Sequence, residues 1–192
     1  CFIEHNLKKY RITSYSRNEK AQVALKRRFP KIDILLGSVE DKFTLENALR
    51  SVKPDVLIHA AALKHVDTAE KQPIQVVQSN IIGSKNIIDL SVDINIPVTI
   101  GISTDKACNP NNLYGFSKKI MEKMFLEANN DKNLFCCTRF GNVAGSSGSV
   151  IVSGNEITEV AAKKVEKVVD TTGAGDLFAA GFLFGYSKGC LL

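Results

Sequence analysis

Short apolar runs and helix-like stretches take turns along the first 140 residues, and this alternation restricts the fold more than any other feature. The runs 11–15, 32–36, 56–60, 98–102 and 134–138 read as strands. Residues 1–9 read as the end of a helix, and 20–29, 42–51, 74–93 and 114–127 as helices. Two strands with a helix between them cannot share a tight hairpin, so the sheet is expected to be parallel. Open sheets of this kind take ligands outside the carboxyl ends of their strands.

The run 98–102 ends at Ser103 and opens into STDKACNPNNLYGFSK, residues 103–118. Asn109, Pro110, Asn111 and Asn112 form a loop, because Pro110 cannot continue a ladder and Asn favours turns. Tyr114 and Lys118 lie four apart on the helix that follows and share one face. An ammonium near a phenol favours the phenolate; bringing a tyrosine from its usual value to about 7 takes roughly 3 units, or about 4 kcal/mol. Such a phenol suits removal of a hydroxyl proton. Tyr-x-x-x-Lys by itself occurs by chance on many helices, and adjacent opposite charges such as Asp105 and Lys106 are usually an ordinary surface pair. Their place at a strand's carboxyl end makes them candidates.

STDKA-x-NP-x-N-x-YG-x-SK resembles the active-site segment of extended short-chain dehydrogenases, in particular nucleotide-sugar 4,6-dehydratases of the polysaccharide-biosynthesis type. HAAALKHV at 59–66, SNIIGSKNIID at 79–89 and RFGNVAGSSGSVI at 139–151 agree with it. The resemblance covers residues 1–151 as a truncated NAD(P)-binding domain and stops there. It implies an α/β fold: an incomplete Rossmann-like, doubly wound parallel sheet lacking its first strand and Gly-rich turn, with a small kinase-derived tail. The cofactor it implies is NADP, with NAD as the alternative, and the substrate a UDP-linked N-acetylhexosamine. By resemblance Tyr114 takes the C4 hydroxyl proton, Lys106 the C5 hydrogen, and Asp105 protonates the departing C6 hydroxyl, while Thr104 and Lys118 orient the cofactor and Tyr114. Asn142 meets the substrate in the family, and Lys64 and His65 lie where they would face it. Ala60, Ala61 and Ala62 are small enough to let a cofactor approach the backbone.

Ser16 and Arg17 follow the run that corresponds to the second strand, where Arg accommodates a 2′-phosphate and so favours NADP; an exposed loop is the alternative. Ser38 stands where the family carries the Asp that touches adenine. Asp41 either substitutes for it or caps the helix 42–51. Asn80, a poor helix former, sits inside the long helix 74–93. The resemblance makes it an organiser of the active site; otherwise it is an exposed polar residue. No GxxGxxG precedes Arg11. The strand expected before it would lie between the runs 11–15 and 56–60, leaving two apolar edges. Direct pairing of those runs, or insertion of a tail strand, is the expectation, with weak NADP binding at most.

The tail, 152–192, has a different character. Residues 150–152 and 157–161 read as strands around a Gly154-Asn155 turn. DTTGAGDLFAAGF, from Asp170, resembles the C-terminal signature of the ribokinase-like sugar kinases. That resemblance gives Gly173, Ala174 and Gly175 a transferring phosphoryl group, which backbone N–H groups at a helix start suit, and makes Asp176 the base. Three function classes follow: a dehydratase, an ATP-dependent sugar kinase, and a non-catalytic chimera.

Composition narrows the field. Five cysteines without paired spacing point to reduced thiols in the cytoplasm, with Cys136 and Cys137 in the core. The spacing of His59 and His65 suits no metal site. No apolar run is long enough to span a bilayer. Residues 1–40 hold nine Lys or Arg against four Asp or Glu and account for the whole net charge of +5. Without aromatic interleaving or a nucleic-acid motif, that excess reads as a solvated surface rather than a nucleic-acid interface. Family analogy implies a homo-oligomer.

Overall fold

The computed structural model describes residues 2–140, 148–153 and 156–161, which divide into two units at residue 36. In the first, α1 (Phe2–Asn6) precedes β1 (Thr13–Ser16), α2 (Glu19–Arg28) and β2 (Asp33–Leu36). The strands are parallel, with Thr13 opposite Asp33 and Ser16 opposite Leu36. Asn18 caps α2 by accepting from Ala21 N. Buried Gln22 ties α2 to both strands. It accepts from Ser14 Oγ at 2.7 Å and donates to the carbonyls of Ser14 and Leu35, each at 2.9 Å.

The second unit contains α3 (Lys42–Val52), β3 (Val56–His59), α4 (Val66–Lys71), α5 (Pro73–Val76), a π-helical turn (Val77–Ile82), α6 (Gly83–Ile94), β4 (Val98–Thr104), a 3₁₀ turn (Asp105–Ala107), α7 (Leu113–Glu127), β5 (Leu134–Phe140), β6 (Gly148–Ser153) and β7 (Glu156–Ala161). Its sheet runs β3-β4-β5-β6-β7. The first three strands are parallel, with Val56, Val98 and Leu134 in register; β6 and β7 are antiparallel. Phe125 from α7 and Phe135 from β5 are fully buried and meet edge to face at 5.8 Å. Each contributes about 1.5–3 kcal/mol from burial. His59 stacks on Phe125. Gly101 makes this possible, since a Cβ there would sit 2.9 Å from the Phe125 ring.

The alternation of strand and helix holds, and the Rossmann-like α/β architecture is confirmed, but two expectations change. The expected pairing of the first and third strands is not found among the described residues: β1 pairs with β2 in a sheet of their own. Among the described residues the tail hairpin joins the β5 edge instead of filling an interior position. The seven-residue β5 offers that hairpin a ladder, Cys136 opposite Ser153 through Arg139 opposite Val150. The long helix expected over 74–93 is also interrupted. The π-helical turn places one extra residue in the coil at Asn80, and such turns are frequent at functional sites. No helix among the described residues is long and apolar enough to cross a membrane.

Candidate active site at the carboxyl end of β4

At the end of β4 the chain stops being extended at Thr104 and turns through Asp105, Lys106 and Ala107. Asn112 then starts α7, its side chain accepting from Gly115 N at 2.8 Å. Gly115 is what lets α7 close on the turn: a Cβ there would lie 2.5 Å from the Lys106 carbonyl oxygen. Thr104, Asp105, Lys106 and Tyr114 are thereby brought together. Thr104 Oγ1 donates to Asp105 Oδ1 at 2.9 Å, and Lys106 Nζ stands 3.3 Å from the same oxygen. The Asp105 and Lys106 side chains keep 48% and 35% of their exposure, so a ligand can reach both.

The electrostatics differ from the expectation in one respect. Burial raises the Tyr114 pKa; a hydrogen bond with Thr104 works against this and the Asp105 charge adds to it. Lys118 does not acidify the phenol, because its ammonium is directed into the protein, donating to Ile102 O at 2.7 Å with Met121 Sδ at 3.5 Å. Burial lowers the Lys118 pKa to about 8, while Cys137 and Glu122 pull it upward. Asp105 is held below the usual carboxylate range: burial raises it, but hydrogen bonds from Thr104 and Lys106 and the Lys106 charge outweigh that.

Asn80 is not an exposed polar residue. From the π-helical turn it accepts from Leu63 N at 2.7 Å and donates to Leu63 O at 3.1 Å and Ser117 Oγ at 2.9 Å. Ser117 Oγ in turn donates to Tyr114 O at 2.8 Å. One buried amide thus joins the segment after β3 to the first turn of α7. Ser84 Oγ donates to Asn80 O at 2.6 Å and meets His59 Nε2 at 2.9 Å. Burial pushes the His59 pKa down to about 3, with the Lys118 charge adding to the effect, so this ring is neutral and structural.

Sequence reasoning missed the ion pair beneath the site. Glu122, one turn beyond Lys118, accepts from Ser103 Oγ at 2.6 Å and from Arg139 Nε and Nη2 at 2.7 and 2.6 Å. The two side chains are 6% and 17% exposed. A carboxylate four residues after Lys118, on the face packed against the sheet, is the signal that was available. Arg139 Nη1 also donates to Cys108 Sγ at 3.5 Å. Cys108 is exposed, while Cys136 and Cys137 are buried in β5 as expected.

Other candidates scatter. Ala60 and Ala61 are exposed and Ala62 half-buried at the end of β3; Lys64 and His65 are exposed beyond them. Methyl side chains there leave the backbone open at the carboxyl end of β3, the strand paired with β4, which fits the close approach of a dinucleotide. Asp41 caps α3, accepting from Thr44 N at 3.1 Å and Thr44 Oγ1 at 2.5 Å. Those bonds, its side-chain one first, lower its pKa. Ser16 accepts from Asn18 N at 3.2 Å, and Arg17 is exposed in the first unit. Asn142, Gly173, Ala174, Gly175 and Asp176 lie outside the described residues.

Against known families, the polysaccharide biosynthesis protein family matches residues 2–165, and the pfkB family of carbohydrate kinases matches 143–190. The UDP-N-acetylglucosamine 4,6-dehydratase (inverting) of Campylobacter jejuni is 41% identical over 172 residues, 86% of this chain and 51% of that protein. Pen from Bacillus thuringiensis, a solved structure, is 27% identical with a TM-score of 0.68, covering 76% of this chain and 48% of its own. The UDP-glucose 4-epimerase of Brucella ovis, solved with NAD, shares the fold at 19% identity and a TM-score of 0.65 over 77% of this chain and 48% of its own. The chain thus spans about half the length of the curated relatives it matches. With a match running from the first helix past the tail hairpin, and the segment 103–118 forming one clustered site, the chain belongs to the polysaccharide biosynthesis protein family.

Proposed function

We propose that residues 1–151 are the nicotinamide-binding part of a nucleotide-sugar 4,6-dehydratase acting on a UDP-N-acetylhexosamine, and that 152–192 is a segment of separate, sugar-kinase ancestry. The observation that carries this reading is the Asp105–Lys106 pair, 3.3 Å apart and half-open at the carboxyl end of β4 beside Tyr114. A bound nicotinamide, NADP by the reading of Ser16 and Arg17, would accept a hydride from C4 and return it to C6. Tyr114, as its phenolate, would take the C4 hydroxyl proton; the hydrogen bond with Thr104 is what favours that form against burial and the Asp105 charge. Lys118, donating to Ile102, fixes the turn of α7 that carries the phenol.

The 4-keto group acidifies the C5 hydrogen. Elimination then needs a neutral amine and a protonated carboxyl, the reverse of the ionised pair. Passing one proton from Lys106 Nζ to Asp105 across their contact supplies both states without net uptake. Lys106 next takes the C5 proton, Asp105 gives its proton to the C6 hydroxyl, water leaves, and the pair returns to its charged form; as hydride reaches C6, the C5 carbon would take up one proton, balancing the one that Tyr114 removed from the C4 hydroxyl. Lys64, His65 and Asn142 are the groups assigned to the sugar nucleotide. Incubation with a UDP-N-acetylhexosamine and NADP is expected to yield the 4-keto-6-deoxy product. No such product from the wild-type chain, or undiminished product from K106A, overturns the reading.

The match over 143–190 favours one other reading for the tail, in which Gly173, Ala174 and Gly175 hold a phosphoryl group and Asp176 serves as base. Phosphate transfer from ATP to a free sugar, lost in D176N, is its test.

A further inference from the structure

We propose that His59 is a positioning residue for the active site: as its Nε2–H tautomer it orients Ser84, which holds the Asn80 carbonyl and so fixes the π-helical turn beside Tyr114. Its effect on turnover rests on the dehydratase reading; the tautomer and the hold on Asn80 do not.

Counting protons fixes the direction of each bond. Ser84 Oγ has one hydrogen and lies 2.6 Å from the Asn80 carbonyl oxygen, which can only accept. The hydroxyl hydrogen therefore goes to Asn80 O. His59 Nε2, 2.9 Å from the same Ser84 Oγ, meets a lone pair and must bring the hydrogen itself. Burial keeps the ring neutral, so its single proton is on Nε2 and Nδ1 is bare. The ring stacks on Phe125 with 6.2 Å between centroids, in the space that Gly101 leaves. That stacking holds the ring plane and with it the direction of the N–H.

Serines within helices often bond the carbonyl four residues back, and such a bond alone says little. Two features set this one apart. His59, Asn80 and Ser84 are 2%, 1% and 0% exposed, so water cannot replace a lost partner. The link also ends on the residue that joins the site together. The Asn80 side chain accepts from Leu63 N and donates to Leu63 O and Ser117 Oγ, and Ser117 Oγ donates to Tyr114 O. Asn80 is thus held at its carbonyl from β3, through Ser84, and at its side chain from the segment after β3. His59 and Leu63 flank residues 60–62, so both ends of the stretch suited to dinucleotide approach are fastened to one π-helical turn.

Side-chain reach supplies the test. A glutamine amide extends to where Nε2 stands, an asparagine amide only to the place of Nδ1, and leucine fills the space without a donor. H59Q is expected to keep kcat for the 4-keto product within about twofold of wild type, whereas H59N and H59L lose about tenfold, the scale of one unsatisfied buried group. All three lose the imidazole stack on Phe125, so a merely structural role predicts equal losses, or the smallest in apolar H59L. S84A breaks the same link from its other side and is the arm to read should the His59 variants not fold. H59L/S84A is expected to be no worse than H59L. Additive losses, or H59Q as impaired as H59L, overturn the proposal.

Two readouts need no turnover. In the full chain labelled with ¹⁵N-histidine, His59 assigned by H59Q, the side-chain spectrum is expected to show Nε2 protonated and Nδ1 bare; an Nδ1–H tautomer overturns the proposal. The Leu63 amide, which donates to Asn80, is expected to exchange about tenfold faster in H59L and near the wild-type rate in H59Q. Equal Leu63 exchange in H59L and wild type overturns the hold on Asn80. The expected tautomer and exchange without any 4-keto product from the wild-type chain sink the dehydratase reading alone. Product formed by H59L at the wild-type kcat sinks this proposal alone.

Discussion

In residues 2–36 the helix α2 meets its two strands through an amide. Gln22 and Ile32 are the buried side chains there, and Gln22 makes three hydrogen bonds to β1 and β2. In residues 37–140 the helix α7 meets its strands through Phe125 and Met121, with Lys118 and Glu122 set among them. Both regions are parallel β–α–β units, but they hold together by different means. A hydrogen bond made on folding contributes about 1 kcal/mol net, because water already satisfied both partners. A buried Phe or Met contributes about 1.5–3 kcal/mol and loses nothing to water. The second region can therefore afford a buried amine and an ion pair near its site, whereas the first uses the one buried polar residue among those described in it to join its own layers.

The sharpest way to break this contrast is at the close contact of α7. G115A places a Cβ against the Lys106 carbonyl and forces the 3₁₀ turn away from Tyr114. Dehydratase turnover is expected to fall about 100-fold, the effect of an ångström-scale misplacement, with β4 amide protection retained. Unchanged turnover would mean that the turn and helix need not touch. Next, native-state hydrogen exchange should find β1 and β2 amides opening about tenfold or more faster than those of β4 and β5. Equal protection would erase the distinction between an amide-centred and an aromatic-centred layer.

Acid should then separate the regions. His59 takes a proton near pH 6.5 when unfolded and only near 3 when folded. Below 6.5 the unfolded chain binds more protons, so stability falls as pH drops toward 3, by up to about 1.4 kcal/mol per unit. H59Q should flatten that slope in chemical denaturation; an unaltered slope would place the acid sensitivity elsewhere. The smallest effect compares two helix caps. N18A and N112A each delete one side-chain bond to a helix start, costing about 1 kcal/mol. Local exchange in α2 should report the first, and turnover the second, because α7's first turn carries Tyr114. A turnover loss from N18A equal to that from N112A would contradict the assignment.

The segment 103–118 was legible because its chemistry is local: the strand end, the Asn cap and the Tyr-Lys spacing lie within sixteen residues. Asp41 as a cap was legible for the same reason. Asn80 was read as a poor helix former, and the turn that accommodates it could not be foreseen, since its partners Leu63 and Ser117 are 17 and 37 residues away. The expected acidification of Tyr114 failed on direction: four-residue spacing puts Lys118 on the right face but does not say where its ammonium points. Glu122 and Arg139 were passed over for the same reason.

From the amino-acid order alone came the alternating elements, their parallel sense, the family, and which strand end carries the reactive groups. These follow from periodicity and from contacts within a few turns of chain. Only the folded protein decided which strands pair, that β1 and β2 form a sheet of their own, and that the tail hairpin completes the edge at β5. It also decided the charge around Lys118, because burial and the approach of distant side chains set the free energy of an ion, and neither is a property of neighbouring residues.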